Sequence, residues 1–282
     1  MIKRIATYIL LFFSICFSSQ LTIMNGNIEQ FSLINSGSHI NSIGFSISDS
    51  SKSRYGFSFI EYPANISHHH FFYQQLFKSS FFTSINIDYL DFGELQSLVS
   101  KFSAKDSRIQ FSIFYFDSEG LIFGGSVGYL ESKISSYSQS IVTYDLGIKK
   151  SLINNSLFLG FSLQNGSKLI KNYSNVIESF NFERVINFEY YSKLLDSRLF
   201  FDIIKERNNL IEYRYAIKKY ITNFFNICLG KHISANSNYE LDFLDRTSAG
   251  FNIVVSNYKV DVGVQHLSHG LLNFGCSVSF FK

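Results

Sequence analysis

Polar and apolar residues alternate along most of this chain, in segments of roughly ten residues set apart by turn formers. Residues 141–149 show it most plainly: Val142, Tyr144, Leu146 and Ile148 fall on one face, and Thr143, Asp145, Gly147 and Lys149 on the other. Residues 259–266 set Val260, Val262 and Val264 against Lys259, Asp261, Gly263 and Gln265. The final segment opposes Phe274, Cys276, Val278 and Phe280 to Asn273, Gly275, Ser277 and Ser279. Alternation of period two marks a strand, because successive Cβ atoms point to opposite faces of a sheet. The pattern predicts about fourteen strands, near 55–63, 68–77, 81–90, 107–117, 120–130, 140–149, 156–165, 181–192, 197–205, 210–218, 222–232, 247–255, 257–266 and 272–281.

A soluble sandwich and a membrane barrel both contain such strands, and strand length separates them. Crossing a bilayer takes roughly nine to eleven tilted residues, whereas sandwich strands average about five or six. The segments here are mostly the longer kind. The predicted fold class is therefore all-β: a closed antiparallel transmembrane β-barrel, closed because an open edge would leave backbone groups unpaired in lipid. Val142, Tyr144, Leu146, Val262, Val264 and Val278 then face lipid, and Thr143, Asp145, Lys149, Asp261, Gln265 and Ser277 face the lumen. On this assignment Asp145→Leu is better tolerated than Leu146→Asp. Cys276 shares the lipid face with Val278, while Cys228 sits with Asn226 and Gly230 on the other, which predicts no disulfide between them. Ser118-Glu119-Gly120 and Ser256-Asn257 read as tight turns, and residues 91–106, 166–180 and 233–246 as long connectors. Residues 20–54 alternate only weakly, over Asn41 to Asp49, and read as an N-terminal segment that either adds a strand or tucks into the lumen.

The first nineteen residues read differently: Lys3 and Arg4 precede an apolar stretch, Ile5 to Phe17, too short to span a bilayer as a helix, with small Ser18 and Ser19 after it. This is the pattern of a cleaved secretory signal peptide, which divides the chain into a signal peptide (1–19), an N-terminal segment (20–54) and a barrel (55–282), bound for the cell outer membrane. With 46% hydrophobic residues and a formal charge of +3, the chain is too apolar for disorder and too weakly basic for nucleic acid. Phe 32 and Tyr 17 beside Pro 1 favour strands with unbroken ladders.

Few residues invite chemistry. His68-His69-His70 puts His68 and His70 on one strand face, but zinc takes three or four protein ligands and no carboxylate or thiol stands near in sequence, so the triplet reads as polar cover at a strand start. Asp88, Asp91 and Glu94 read as a solvated loop, His266 and His269 as a polar hairpin tip, and Arg214, Lys218, Lys219 and Lys231 as interfacial cations or a lumen patch. Gly124-Gly125 inside a strand reads as a bulge or a close approach. There is no nucleophile elbow, phosphate loop, dinucleotide fingerprint or His-Glu-x-x-His. A phospholipase or protease reading would rest on His266 and Ser268 alone. No residue is assigned as catalytic, metal-binding or cofactor-binding, no cofactor is expected, and the chain is expected not to be an enzyme.

Several stretches resemble the PorV/PorQ family of outer-membrane barrels associated with type IX secretion. Tyr55 to Glu94 resembles the family's early hairpins, with an Ala-Asn-Ile turn at 64–66 and a strand that ends Tyr89-Leu90-Asp91-Phe92-Gly93. Phe102-Ser103-Ala104-Lys105-Asp106 resembles the opening of the family's next strand. Gly128 to Gly147 resembles its Lys-(Phe/Tyr)-Ile-x-Ser…Asp-Leu-Gly stretch, and Gly250 to Phe280, through His266-Leu267-Ser268-His269-Gly270, its PorQ branch. Where the family carries an Asn-Pro-Ala plug segment this chain has Ser50-Ser51-Lys52-Ser53-Arg54, and it ends Phe280-Phe281-Lys282 rather than on an aromatic. The resemblance implies a fourteen-stranded barrel similar to fatty-acid transporters. Its expected partners are outer-membrane lipid, secreted cargo and other type IX components, and its role is secretion or surface attachment of exported proteins. The alternative is a fatty-acid-transporter-like carrier of hydrophobic small molecules.

Overall fold

A computed structural model describes residues 53–77, 80–96, 101–117, 119–153, 156–172, 182–205, 210–234, 244, 246–267 and 271–282. The expected signal peptide and nearly all of the N-terminal segment lie outside the described residues. The strands are β1 (Arg54–Tyr62), β2 (Ile66–Phe77), β3 (Phe81–Gln96), β4 (Lys101–Phe116), β5 (Leu121–Ile134), β6 (Tyr137–Ile153) and β7 (Leu157–Lys171). They continue as β8 (Glu183–Ser192), β9 (Ser197–Lys205), β10 (Ile211–Tyr220), β11 (Phe225–Ser234), β12 (Thr247–Val255), β13 (Tyr258–His266) and β14 (Leu272–Phe281). Each pairs antiparallel with its neighbours in sequence, and β14 returns to β1, so the sheet closes into a transmembrane barrel.

The polarity of the wall is inverted relative to a soluble protein. On β6, Thr143, Asp145 and Lys149 are buried and Leu146 and Ile148 exposed. On β13 and β14, Asp261 and Ser277 are buried while Val260 and Val278 are exposed. Along the middle of the wall most inward side chains are polar, and most outward ones are Phe, Ile, Leu, Val and Tyr. That choice is favourable only where the outside is lipid, because exposed apolar surface costs about 25 cal/mol per Å² in water. Cys228 is buried on the inner face and Cys276 exposed on the outer one, both as free thiols.

The fourteen strands differ in length in a way that the alternation does not announce. β8 to β14 span 9 or 10 residues. β3 and β4 span 16, β5 14, β6 17 and β7 15. The surplus lies at one end. Residues expected as long connectors are in fact paired: Glu94, Leu95 and Gln96 oppose Ser103, Phe102 and Lys101, and Ser140 opposes Lys171. The link between β3 and β4 shrinks to 97–100, and only 172–182 and 235–246 are long. Both lie at this long-loop end. The opposite end carries the turns at 78–80, 117–120, 154–156, 193–196, 221–224 and 256–257, together with the start of β1 and the end of β14. Its turns are built locally: Asp117 Oδ1 accepts from the Glu119 N–H at 2.9 Å and the Leu121 N–H at 2.8 Å, and Gly120 takes φ 77°.

Candidate functional site

Inside the barrel the polar side chains are clustered by register. His70 lies opposite Asp88, and Asp88 opposite Arg108, in one row across β2, β3 and β4. His68 reaches the same carboxylate because residues two apart share a strand face. His68 Nε2 and His70 Nδ1 lie 3.0 and 2.8 Å from Asp88 Oδ1, and Arg108 donates to Oδ2 from Nε at 3.0 Å and Nη2 at 2.8 Å. Asp88 is fully buried. The reading of residues 88–94 as a solvated loop is therefore corrected, as is the view that the histidines lack a carboxylate partner. Asp88 stands twenty residues from His68 in sequence but one strand away in space. Its neighbours remain at the surface: Asp91 Oδ1 accepts from the Gly93 N–H at 2.8 Å, and Glu94 pairs with Lys101 at 3.1 Å on the exposed face. His69 points out, against Phe59 at 5.2 Å.

A second cluster centres on Asp145, which accepts from Ser126 Oγ at 2.7 Å, Gln110 Nε2 at 3.0 Å and the backbone N–H of Asn165 at 2.7 Å. The last donor comes from a bulge in β7, where Asn165 takes φ 56° and the register to β6 shifts. Asp145 is thus more than a lumen-facing polar residue. Its replacement by leucine would strand three donors, a cost that the polarity pattern alone does not show and that weighs against Asp145→Leu in the comparison with Leu146→Asp. Farther round, Glu189 pairs with Lys149 and, at 3.0 Å, with Arg198. Asp261 accepts from Asn252 Nδ2 at 2.6 Å and Ser277 Oγ at 2.8 Å. The cation group read from sequence divides: Lys218 is buried on the inner face, while Lys219, on the outer face, bonds the Leu195 carbonyl. His266 is the last residue of β13, and Ser268 and His269 lie outside the described residues.

Toward the long-loop end the two faces exchange character along the same strands. β3 presents Ile85, Ile87 and Tyr89 outward and then Asp91, while its inner face passes from Ser84, Asn86 and Asp88 to Leu90 and Phe92. On β5, Val127 and Tyr129 give way outside to Glu131 and Lys133, with Leu130 and Ile134 inside. Leu90, Phe92, Ala104, Leu130 and Ile141 form one buried cluster there, joined by Tyr62, Ile66, Leu95, Ile134 and Leu169. The swap marks where lipid ends and water begins. Above it, β3 to β7 stand as a raised wall with a polar outer face and an apolar inner one. A smaller cluster of Phe82, Phe114 and Ile122 lies toward the short-turn end. Gly124 makes room for it: a Cβ there would sit 2.5 Å from Phe114 Cδ1 and 2.7 Å from the Ile113 carbonyl. The ladder between β4 and β5 shows no shift at this point, so Gly124 marks a close approach rather than a bulge.

No family model matches the chain, and no curated protein matches it. Solved structures share its architecture. The CymD monoaromatic hydrocarbon channel is 10% identical with a TM-score of 0.57, over 82% of this chain and 88% of that one. The toluene transporter TodX of Pseudomonas putida is 9% identical with a TM-score of 0.56, over 82% and 89%. A TodX deltaS2S3 mutant monoaromatic hydrocarbon channel is 8% identical with a TM-score of 0.52, over 82% and 89%. At these identities the likeness extends to the fold: this chain is a closed antiparallel β-barrel of the same build.

Proposed function

We propose that this chain is an outer-membrane barrel of the PorV/PorQ kind, acting in type IX secretion or surface attachment of exported proteins. The observation that carries the reading is the raised wall. Five strands continue past the lipid boundary and turn a polar, charged face to the surroundings, with Lys101, Lys105, Glu131 and Lys133 on it. A carrier of small molecules gains nothing from such a platform, whereas a protein partner gains an ordered surface for recognition. The motif resemblance falls in part on these strands, in β3 to β6. Short turns at the end that holds both strand termini, opposite the long connectors, support an orientation with the raised wall outside the cell.

The test is deletion in the encoding organism, followed by surface labelling of a protein that bears a type IX signal. Cargo should accumulate in the periplasm. Complementation with Lys105→Glu/Lys133→Glu should restore the barrel but not the surface cargo. Unchanged surface cargo in the deletion strain would overturn the proposal.

A second reading, passage of hydrophobic small molecules, is favoured by the likeness to a monoaromatic hydrocarbon channel and a toluene transporter and by the apolar cluster at the mouth. It predicts that the purified barrel accelerates toluene entry into liposomes.

A further inference from the structure

Arg184 and Lys205 face each other across β8 and β9 on the outer wall, both exposed. Directly opposed side chains on paired strands have Cβ atoms about 5 Å apart, and like charges there are destabilising. Among the described residues no carboxylate relieves them on this face. The outward positions of β8 are Arg184, Ile186, Phe188 and Tyr190, and those of β9 are Leu199, Phe201, Ile203 and Lys205. Glu183, Glu189 and Asp202 all point inward and are buried. On the flanks, β7 offers Leu159, Phe161 and Leu163, and β10 offers Tyr213, Tyr215 and Ile217.

Below the two cations lies a continuous aromatic surface on the barrel's outside. Phe201 stacks on Phe188 at 6.1 Å, on Tyr213 at 6.3 Å and on Tyr215 at 5.1 Å. The cations therefore cap an apolar, aromatic strip that already faces lipid, at the level where the wall leaves the bilayer. Water at that level is replaced by headgroups. An anion between the two side chains would convert their repulsion into two charge-assisted hydrogen bonds.

We infer that Arg184 and Lys205 form a binding site for the phosphate of an anionic lipid in the leaflet at the long-loop end. Its acyl chains lie along Phe188, Phe201, Ile186 and Ile203. Continuity with the lipid belt selects a membrane lipid over a soluble anion, since the strip beneath the charges would otherwise have nothing to hold.

The test is lipid retention. The intact barrel is purified in mild detergent, incubated with lipid A or with its dephosphorylated form, and bound lipid is counted by native mass spectrometry. Lipid A should remain on the wild type. Arg184→Gln/Lys205→Gln should lose it roughly thirtyfold, about fivefold for each cation near an anionic surface. Arg184→Lys should keep most of it. Lys101→Gln/Lys133→Gln, on the raised wall, should bind as wild type, and heat-modifiable migration checks that each variant is folded. Equal retention by the wild type and a folded double glutamine variant would overturn the inference. So would retention that ignores the loss of the phosphates, or displacement of lipid A by inorganic phosphate at millimolar concentration.

Discussion

At the scale of single residues, the barrel rests on a few buried carboxylates that each tie several strands together. Asp88 joins β2, β3 and β4 through two imidazoles and a guanidinium. Removing one partner of a buried pair leaves an uncompensated charge and costs about 3–5 kcal/mol. Asp88→Ala should therefore lower the temperature of heat-modifiable migration sharply, and Asp88→Asn, which keeps one acceptor, should lower it less. A Asp88→Ala barrel that unfolds at the wild-type temperature would show that the row is incidental. At Asp145 and Leu146 the comparison is between two penalties. Asp145→Leu strands three donors, each worth about 1–3 kcal/mol when left unmade in a buried site. Leu146→Asp places a carboxylate in lipid, where the cost falls off from the midplane. Both variants should assemble less than wild type in outer-membrane fractions, and normal assembly of Leu146→Asp would put the outer face in question.

Strands and their connections show what alternation can and cannot convey. Every one of the fourteen predicted segments overlaps its strand, because inside the bilayer the period of two is regular and the outward positions stay apolar. The raised wall escaped notice for a physical reason. On β3 the polar face becomes the outer one at Leu90 and Asp91, and directly after it a bulge between Asp91 and Glu94 breaks the period. A strand whose phase inverts midway reads as a strand followed by a loop. The buried carboxylates were equally hidden, since a charge inside a polar lumen looks in sequence like a charge in water. Gly124, by contrast, was legible as a bulge or a close approach, and the unshifted ladder decides for the second. Gly124→Ala should impair assembly, because the new Cβ meets a backbone carbonyl that cannot swing away. Gly125→Ala, whose Cβ meets its nearest atoms at 3.1 Å, should be milder. Comparing folded fractions of the two variants on unheated gels tests this, and the reverse order would contradict the packing described for Phe114.

For the molecule as a whole, the swap of polarity fixes where the bilayer stops. In a variant with Cys228→Ser and Cys276→Ser, a cysteine at Lys133 should react with a membrane-impermeant maleimide on intact cells, and one at Val127 should not, although Val127 is 60% exposed. Equal labelling would move the boundary. The seam between β14 and β1 carries a different implication. It is held by Arg54 Nη2 donating to Ser279 Oγ at 3.0 Å, by Tyr55 stacked on Phe280 at 5.1 Å and by the Lys282 N–H to the Ser53 carbonyl at 2.9 Å. Every other seam joins strands consecutive in sequence, but this one joins residues 225 apart. Closing so long a loop adds little free energy, about 0.6 kcal/mol per doubling of length. Its weight is kinetic. Until the two strands meet, a nearly finished sheet exposes two ladders of backbone groups, and lipid offers neither of them a partner. A chain interrupted before β14 therefore keeps two unpaired edges beside its apolar outer face, which makes it an aggregation-prone sheet rather than a partial pore.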